Sequence, residues 1–267
     1  MRFTDYHKNI LIDESNHPMI IESCKMIDNF ETAIKELIDD GDWIKYVVAV
    51  TPYDKFLWEC NHLHPQKTNP INILQNKKYS SFRETLLLPL WIRIKNRLCF
   101  NTDIVLNKSV VQTILSDGTI GTKDVDGGLG INCGDLFLPI IVNEDKSGHF
   151  CKTQAKNVNG ILKSFEDLNN NIIRVCTTDN KVTIGKKVDS SELSSYDIVA
   201  SLRKENGNHY LYQELNPEIF SQLENIIVDE INKRGFESYG CDKYKIKQKQ
   251  NKSIRESIDN TGLYVNI

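Results

Sequence analysis

No stretch of this chain approaches the roughly 20 apolar residues that a membrane-spanning helix requires. The opening MRFTDYHKNILIDESNH lacks the apolar core of a secretory signal. The expectation is a cytoplasmic protein with no membrane partner. The seven cysteines are odd in number, scattered, and never spaced as CxxC. That excludes a disulfide framework and reads as reduced thiols. There is no GxGxxG before a helix and no GKS or GKT, so DGGLG at 126–130 is not a nucleotide loop. Cys60, His62 and His64 form one Cys/His cluster, and His149 with Cys151 forms another. Neither has a partner pair at zinc-finger spacing. A strong charge of one sign is missing too. The net charge is −3, so any nucleic-acid surface has to be local. No internal repeat is visible.

What is present is an ordinary soluble composition. Apolar residues make up 40% and charged residues 26% of 267, enough for a sizeable core without staples. The first hundred residues are largely helical. Met26, Phe30, Ile34 and Leu37 recur at helical spacing and stop near Gly41. WIKYVVAVTPYDKFLWEC is mixed, with Pro52 expected to break it. SSFRETLLLPLWIRIKNRL predicts a helix that Pro89 kinks or divides, with Ser80 or Ser81 as its cap.

From about Asn101 the pattern becomes β-branched and short-period. Two apolar runs joined by Asn132-Cys133-Gly134-Asp135 predict a hairpin. Val158, Ile161, Leu162, Phe165 and Leu168 then fall on one helical stripe. NIIRVCTT is the next strand. The last third offers KVTIGKKV, YDIVASLRK and HYLYQEL as strands. A helix follows with Asn216 as cap, Pro217 at its first position and Gly235 beyond its end.

The chemistry gathers where an apolar strand runs into charge, LPIIVNEDKSGHF. On a strand, residues two apart share a face. Glu144 and Lys146 therefore project together and Asp145 points away. A metal site needs a second acid, because Mg²⁺ takes oxygen ligands, commonly one or two carboxylates with substrate phosphates. Asp135 is nine residues before Glu144. An extended strand separates them by about 30 Å. Asp135 is thus a reserve, usable only if Pro139 marks a turn. Asp126 lies on the other hairpin arm. Folding about Cys133-Gly134 or Gly134-Asp135 puts it opposite residue 141 or 143, within one or two steps of Glu144. Asp126 is preferred, with Asp124 a weaker reserve.

Asp126-Gly-Gly, a turn, an apolar strand, Glu144-x-Lys146 and a helix together resemble the PD-(D/E)XK nuclease superfamily. Val125 stands where that motif often has proline. The large additions on both sides are most similar to type II restriction endonucleases. The resemblance implies an α/β fold with a restriction-endonuclease-like core, a mixed β-sheet flanked by helices, over residues 80–176. A helical addition precedes it over 1–79. A β-rich C-terminal addition over 177–267 would serve DNA recognition or dimerisation. It implies Mg²⁺-dependent, sequence-specific hydrolysis of double-stranded DNA, with Asp126 and Glu144 on the metal and Lys146 at the attacking water. It also implies a homodimer and a cognate DNA methyltransferase. Glu84 is the candidate further acid. It would share a helical face with Leu87, Leu88 and Trp91, or it is simply a first-turn acid favoured by the helix dipole.

Lys152, Gln154, Lys156 and Asn157 are donors near a helix start, where phosphates bind. Lys243, Lys245, Lys247, Lys249, Lys252 and Arg255 form a basic tail suited to phosphate contact. The alternatives are a repair or junction-resolving nuclease on the same chemistry, and a non-catalytic DNA-binding protein on a nuclease-like core.

Overall fold

The computed structural model describes residues 18–62, 82–114, 120–132, 137–146, 172–178, 196–204 and 214–236. Helix α1 (Pro18–Asp40) and helix α2 (Trp43–His62) open the chain. The turn between them needs a left-handed residue, and Gly41 supplies it at φ 77°. Asp42 then caps α2, its Oδ1 accepting from the N–H groups of Ile44 and Lys45 at 2.9 and 3.2 Å. Of the predicted stripe of α1, Phe30, Ile34 and Leu37 are buried, joined by Ala33, and the Met26 side chain lies outside what is described.

Pro52 does not break α2, contrary to expectation. Its ring is directed at the carbonyl four residues back, that of Val48, and both Pro52 and Val48 are exposed. A carbonyl on the solvent side can tilt outward at small cost. The opposite stripe, Trp43, Tyr46, Val47, Val50, Tyr53 and Leu57, is buried and holds the helix together across the proline.

Pro89 does divide its segment. Residues 82–86 form a short helical turn, Leu87 is a turn residue, and α3 (Leu88–Arg97) begins with the proline in its first turn. There its missing N–H would have had no partner.

Five strands follow: β1 (Asp103–Ile114), β2 (Ile120–Asn132), β3 (Phe137–Lys146), β4 (Ile173–Thr178) and β5 (Ile198–Ser201). They form one sheet in the order β1-β2-β3-β4-β5. The first three pair antiparallel and the last three parallel, so the sheet is mixed. The parallel β3–β4 step needs a crossover connection. The amphipathic helix expected around 153–170 falls in that connection, outside the described residues. The expected strand at YDIVASLRK is β5, whereas KVTIGKKV and most of HYLYQEL lie outside the described residues. Leu215 bridges back to Arg203.

Helix α4 (Pro217–Arg234) has the predicted punctuation. Asn216 Oδ1 accepts from the Glu218 N–H at 3.1 Å, Pro217 starts the helix, and Gly235 ends it at φ 67°. Phe220 of α4 stacks on Trp43 of α2 at 5.3 Å. The helices and one face of the sheet share a single large apolar cluster, in which Phe82, Trp91 and Phe220 join Leu129, Ile141, Ile173 and Val175. A second cluster of Val105, Val125, Val142 and Ile172 is much smaller. Among the described residues no helix is long and apolar enough to cross a membrane.

Candidate active site

The β2–β3 hairpin sets the site. Its pairing begins at Asn132↔Phe137 and runs to Gly130↔Pro139. It then shifts by one residue, with Leu129↔Ile141, so that Ile140 is a bulge. The sequence expectation placed Asp126 opposite 141 or 143. The bulge adds one step. The last pair is Gly127↔Asn143, and continuing it by one residue sets Asp126 against Glu144. Pro139, which has no N–H for the ladder, sits beside the bulge inside β3 and does not make a turn. The turn on which Asp135 depended is therefore absent at Pro139. Asp135 itself lies outside the described residues.

The two glycines after Asp126 have separate reasons. A Cβ on Gly127 would come within 2.9 Å of Trp91 Nε1, so the indole of α3 packs directly under the strand. Gly128 has φ 145°, and a Cβ there would collide with the Ile141 carbonyl. Asp-Gly-Gly is thus a close approach of the hairpin to α3 on one side and to β3 on the other.

Faces follow from contacts. Ile141 belongs to the large cluster on the helical side and Val142 to the small one. Asn143 and Asp145 alternate with Ile141, and Glu144 with Val142. The Asp145 carboxylate indeed meets Arg83 from the helical turn 82–86. Arg83 Nε donates to Oδ2 at 2.9 Å and Nη2 to Oδ1 at 2.8 Å. Thr177 Oγ1 also donates to Oδ1 at 2.8 Å, and Asn143 Nδ2 donates to Thr177 Oγ1 at 3.4 Å. Glu144 is half-buried on the other side, and Asp126 is half-buried at the end of the β2–β3 pairing. The backbone N–H of Asp145 donates to Asp126 Oδ2 at 2.7 Å. Burial, then the Cys176 sulfur and the Asp126 carboxylate, push the Tyr196 phenol well above its ordinary range. Tyr196 is thereby a neutral neighbour of Asp126.

No family model matches this chain, and no curated protein matches it. A solved structure described as the native BbvCI A2B2 tetramer at low resolution is similar, with a TM-score of 0.59. The match covers 88% of this chain and 98% of that one, at 14% sequence identity. The fold is restriction-endonuclease-like. The likeness is one of fold, and it comprises the mixed five-stranded sheet and its flanking helices.

Within this restriction-endonuclease-like core, Asp126 and Glu144 are each one residue beyond the last β2–β3 pair, Gly127↔Asn143, on neighbouring strands. Lys146 is the last residue of β3, in register with Thr178. Glu84 is buried, at 8% exposure, next to Arg83. Asp124 pairs with Val110, two residues further along β2 from the site. Lys152, Gln154, Lys156, Asn157, Lys243, Lys245 and Lys247 lie outside the described residues. Among the described residues, no three His, Cys, Asp or Glu side chains gather as they would around a metal ion. Mg²⁺ commonly takes one or two protein carboxylates and fills its shell with water and phosphate oxygens. The Asp126–Glu144 pair fits that smaller requirement.

Sequence reasoning missed Arg83, Thr177 and Tyr196, and treated Asp145 only as the residue pointing away. The one available signal was the acid itself. A carboxylate turned toward apolar surface needs a cation, and Arg83 stands beside Glu84.

Proposed function

We propose that this protein is a type II restriction endonuclease, a Mg²⁺-dependent hydrolase that cuts double-stranded DNA at a specific sequence. The observation that carries this is the β2–β3 register, whose last pair Gly127↔Asn143 leaves Asp126 and Glu144 as the next residues on the two strands, with Lys146 two residues on. The restriction-endonuclease-like fold supports a nuclease at the coarse level.

Asp126 and Glu144 would hold the cation, with Glu84 a further acid at the same end of the sheet. When bound, the cation supplies positive charge at the phosphate and acidifies a water. Lys146 orients or deprotonates the attacking water and adds charge beside the scissile phosphate. The same acids repel a polyanion when no cation is present. Lys152, Gln154, Lys156 and Asn157, with the basic tail from Lys243, would hold the phosphate backbone. A homodimer would match protein symmetry to a palindromic site. BbvCI is described as an A2B2 tetramer, which supports assembly of more than one chain. A cognate methyltransferase would protect the host's own sites.

The test is digestion of plasmid DNA with Mg²⁺ and with EDTA. Discrete bands in Mg²⁺ alone support the proposal. Smearing indicates a nonspecific or structure-selective nuclease. Intact plasmid over a wide range of sequences indicates a binding protein on a nuclease-like core.

A further inference from the structure

Asp145 lies between Glu144 and Lys146, yet its side chain is only 4% exposed. Three donors close on it: Arg83 Nε and Nη2 and Thr177 Oγ1, none longer than 2.9 Å. Arg83 is 3% exposed and Thr177 is fully buried. A buried ion pair is a weak source of stability, because desolvating two charges offsets most of their attraction. Packed apolar residues would hold β3 to the helices as well.

Asp145 also has a second role on the β2 side. The β2–β3 ladder ends at Gly127↔Asn143. The next link across is the Asp145 N–H to Asp126 Oδ2 at 2.7 Å, so a side chain takes the place of a ladder carbonyl. On its other side the end of β3 is held by the parallel ladder, with Asp145 opposite Thr177. One residue is therefore anchored beneath the sheet while its backbone grips an acid of the candidate site. Arg83, which does the anchoring, is the neighbour of Glu84.

We infer that Asp145 is a positioning residue, and that the Arg83–Asp145–Thr177 network fixes the end of β3 so that Asp126 and Glu144 take a divalent cation together. This rests on the metal-site reading given under the proposed function. The network touches no substrate and acts only through Asp126 and Glu144.

The experiment is titration of the full-length protein with Mn²⁺, followed by electron paramagnetic resonance, with melting curves alongside. Thr177→Val removes one donor to Asp145 and keeps the side-chain shape. It should weaken Mn²⁺ binding about 10-fold, the scale for a lost hydrogen-bond partner of a metal ligand system. Thr177→Ser should restore binding. A merely structural threonine would not separate the two by their metal affinity. Arg83→Met with Asp145→Leu removes both charges together, which avoids stranding one of them. That double variant should fold and bind Mn²⁺ about 10- to 100-fold more weakly. Folded variants that bind Mn²⁺ like the parent overturn the inference. Failure of both variants to fold also overturns it, since the network is then a folding element. Glu144→Ala separates the two levels. If it abolishes Mn²⁺ binding while the network variants bind normally, only the positioning role falls. If it leaves binding unchanged, the metal site itself is wrong.

Discussion

The two faces of the sheet are built differently. On the helical face, aromatic and aliphatic side chains from the four described helices meet Leu129, Ile141, Ile173 and Val175. The charges there are sealed in pairs. Arg203 holds Asp54 at 2.7 and 3.0 Å, both almost wholly buried, and Arg83 holds Asp145. On the other face the described residues offer four aliphatic side chains, with Glu144 half-buried on the face of Val142, and Asp126 is half-buried at the end of the hairpin pairing. Unlike Asp54, these two acids stand on neighbouring strands one step beyond the last ladder pair, where like charges close together repel. The helical face seals its charges in buried pairs, and the opposite face carries Glu144 at intermediate burial. The first arrangement favours a rigid fold, and a pair of acids near the end of the hairpin favours a cation.

Breaking each face separately should give opposite phenotypes. Asp54→Ala strands Arg203 in the helical core. It should destabilise the protein by about 3–5 kcal/mol, read by urea unfolding, while cleavage per folded molecule at low temperature stays unchanged. Altered cleavage chemistry there would blur the division. Glu144→Ala and Lys146→Ala should each lose at least about 10²-fold in cleavage rate, with parent-like melting curves. Parent-like cutting by either would remove that residue from the site.

A smaller effect is expected at Glu224 of α4, which accepts from Trp43 Nε1 at 2.7 Å, Arg93 Nε at 2.8 Å and Arg97 Nη1 at 3.0 Å. Burial works against its carboxylate, but bonds from Arg93, Trp43 and Arg97 outweigh it and hold its pKa below the ordinary 4.5. A carboxylate with a lowered folded pKa stabilises the fold above its unfolded value, and the contribution is lost as pH falls through the folded one. Glu224→Gln should therefore cost about 1–3 kcal/mol at neutral pH and lose less than the parent as pH drops below 4.5. Melting temperatures across pH 3 to 7 (roughly the carboxylate range) would read this. Parallel curves for the two proteins would deny Glu224 its share of acid sensitivity.

Much of this division was legible in the sequence, because alternation is a local property. Ile141, Asn143 and Asp145 against Val142 and Glu144 can be read from five consecutive letters. So could α4, whose Asn216, Pro217 and Gly235 each act on their own few residues. The register was not fully legible. It turns on a bulge at Ile140, a backbone conformation that composition hardly marks, though Pro139 beside it is a trace. Pro52 misled because its effect depends on which side of α2 faces the core, and that is decided by Phe30 and Phe82 packing on Tyr53. The Arg83–Asp145 pair joins residues far apart in sequence, and nothing local announces a partner at that distance.

The most direct test uses Asp126→Asn. Two acids aimed at a polyanion repel it when no cation is present, so neutralising one should relieve that repulsion while removing a metal ligand. A gel-shift titration in EDTA, beside a digest in Mg²⁺, reads both. The account predicts DNA binding at least as tight as the parent's, with cleavage reduced at least about 10²-fold. Much weaker binding in EDTA, or undiminished cleavage in Mg²⁺, would contradict it.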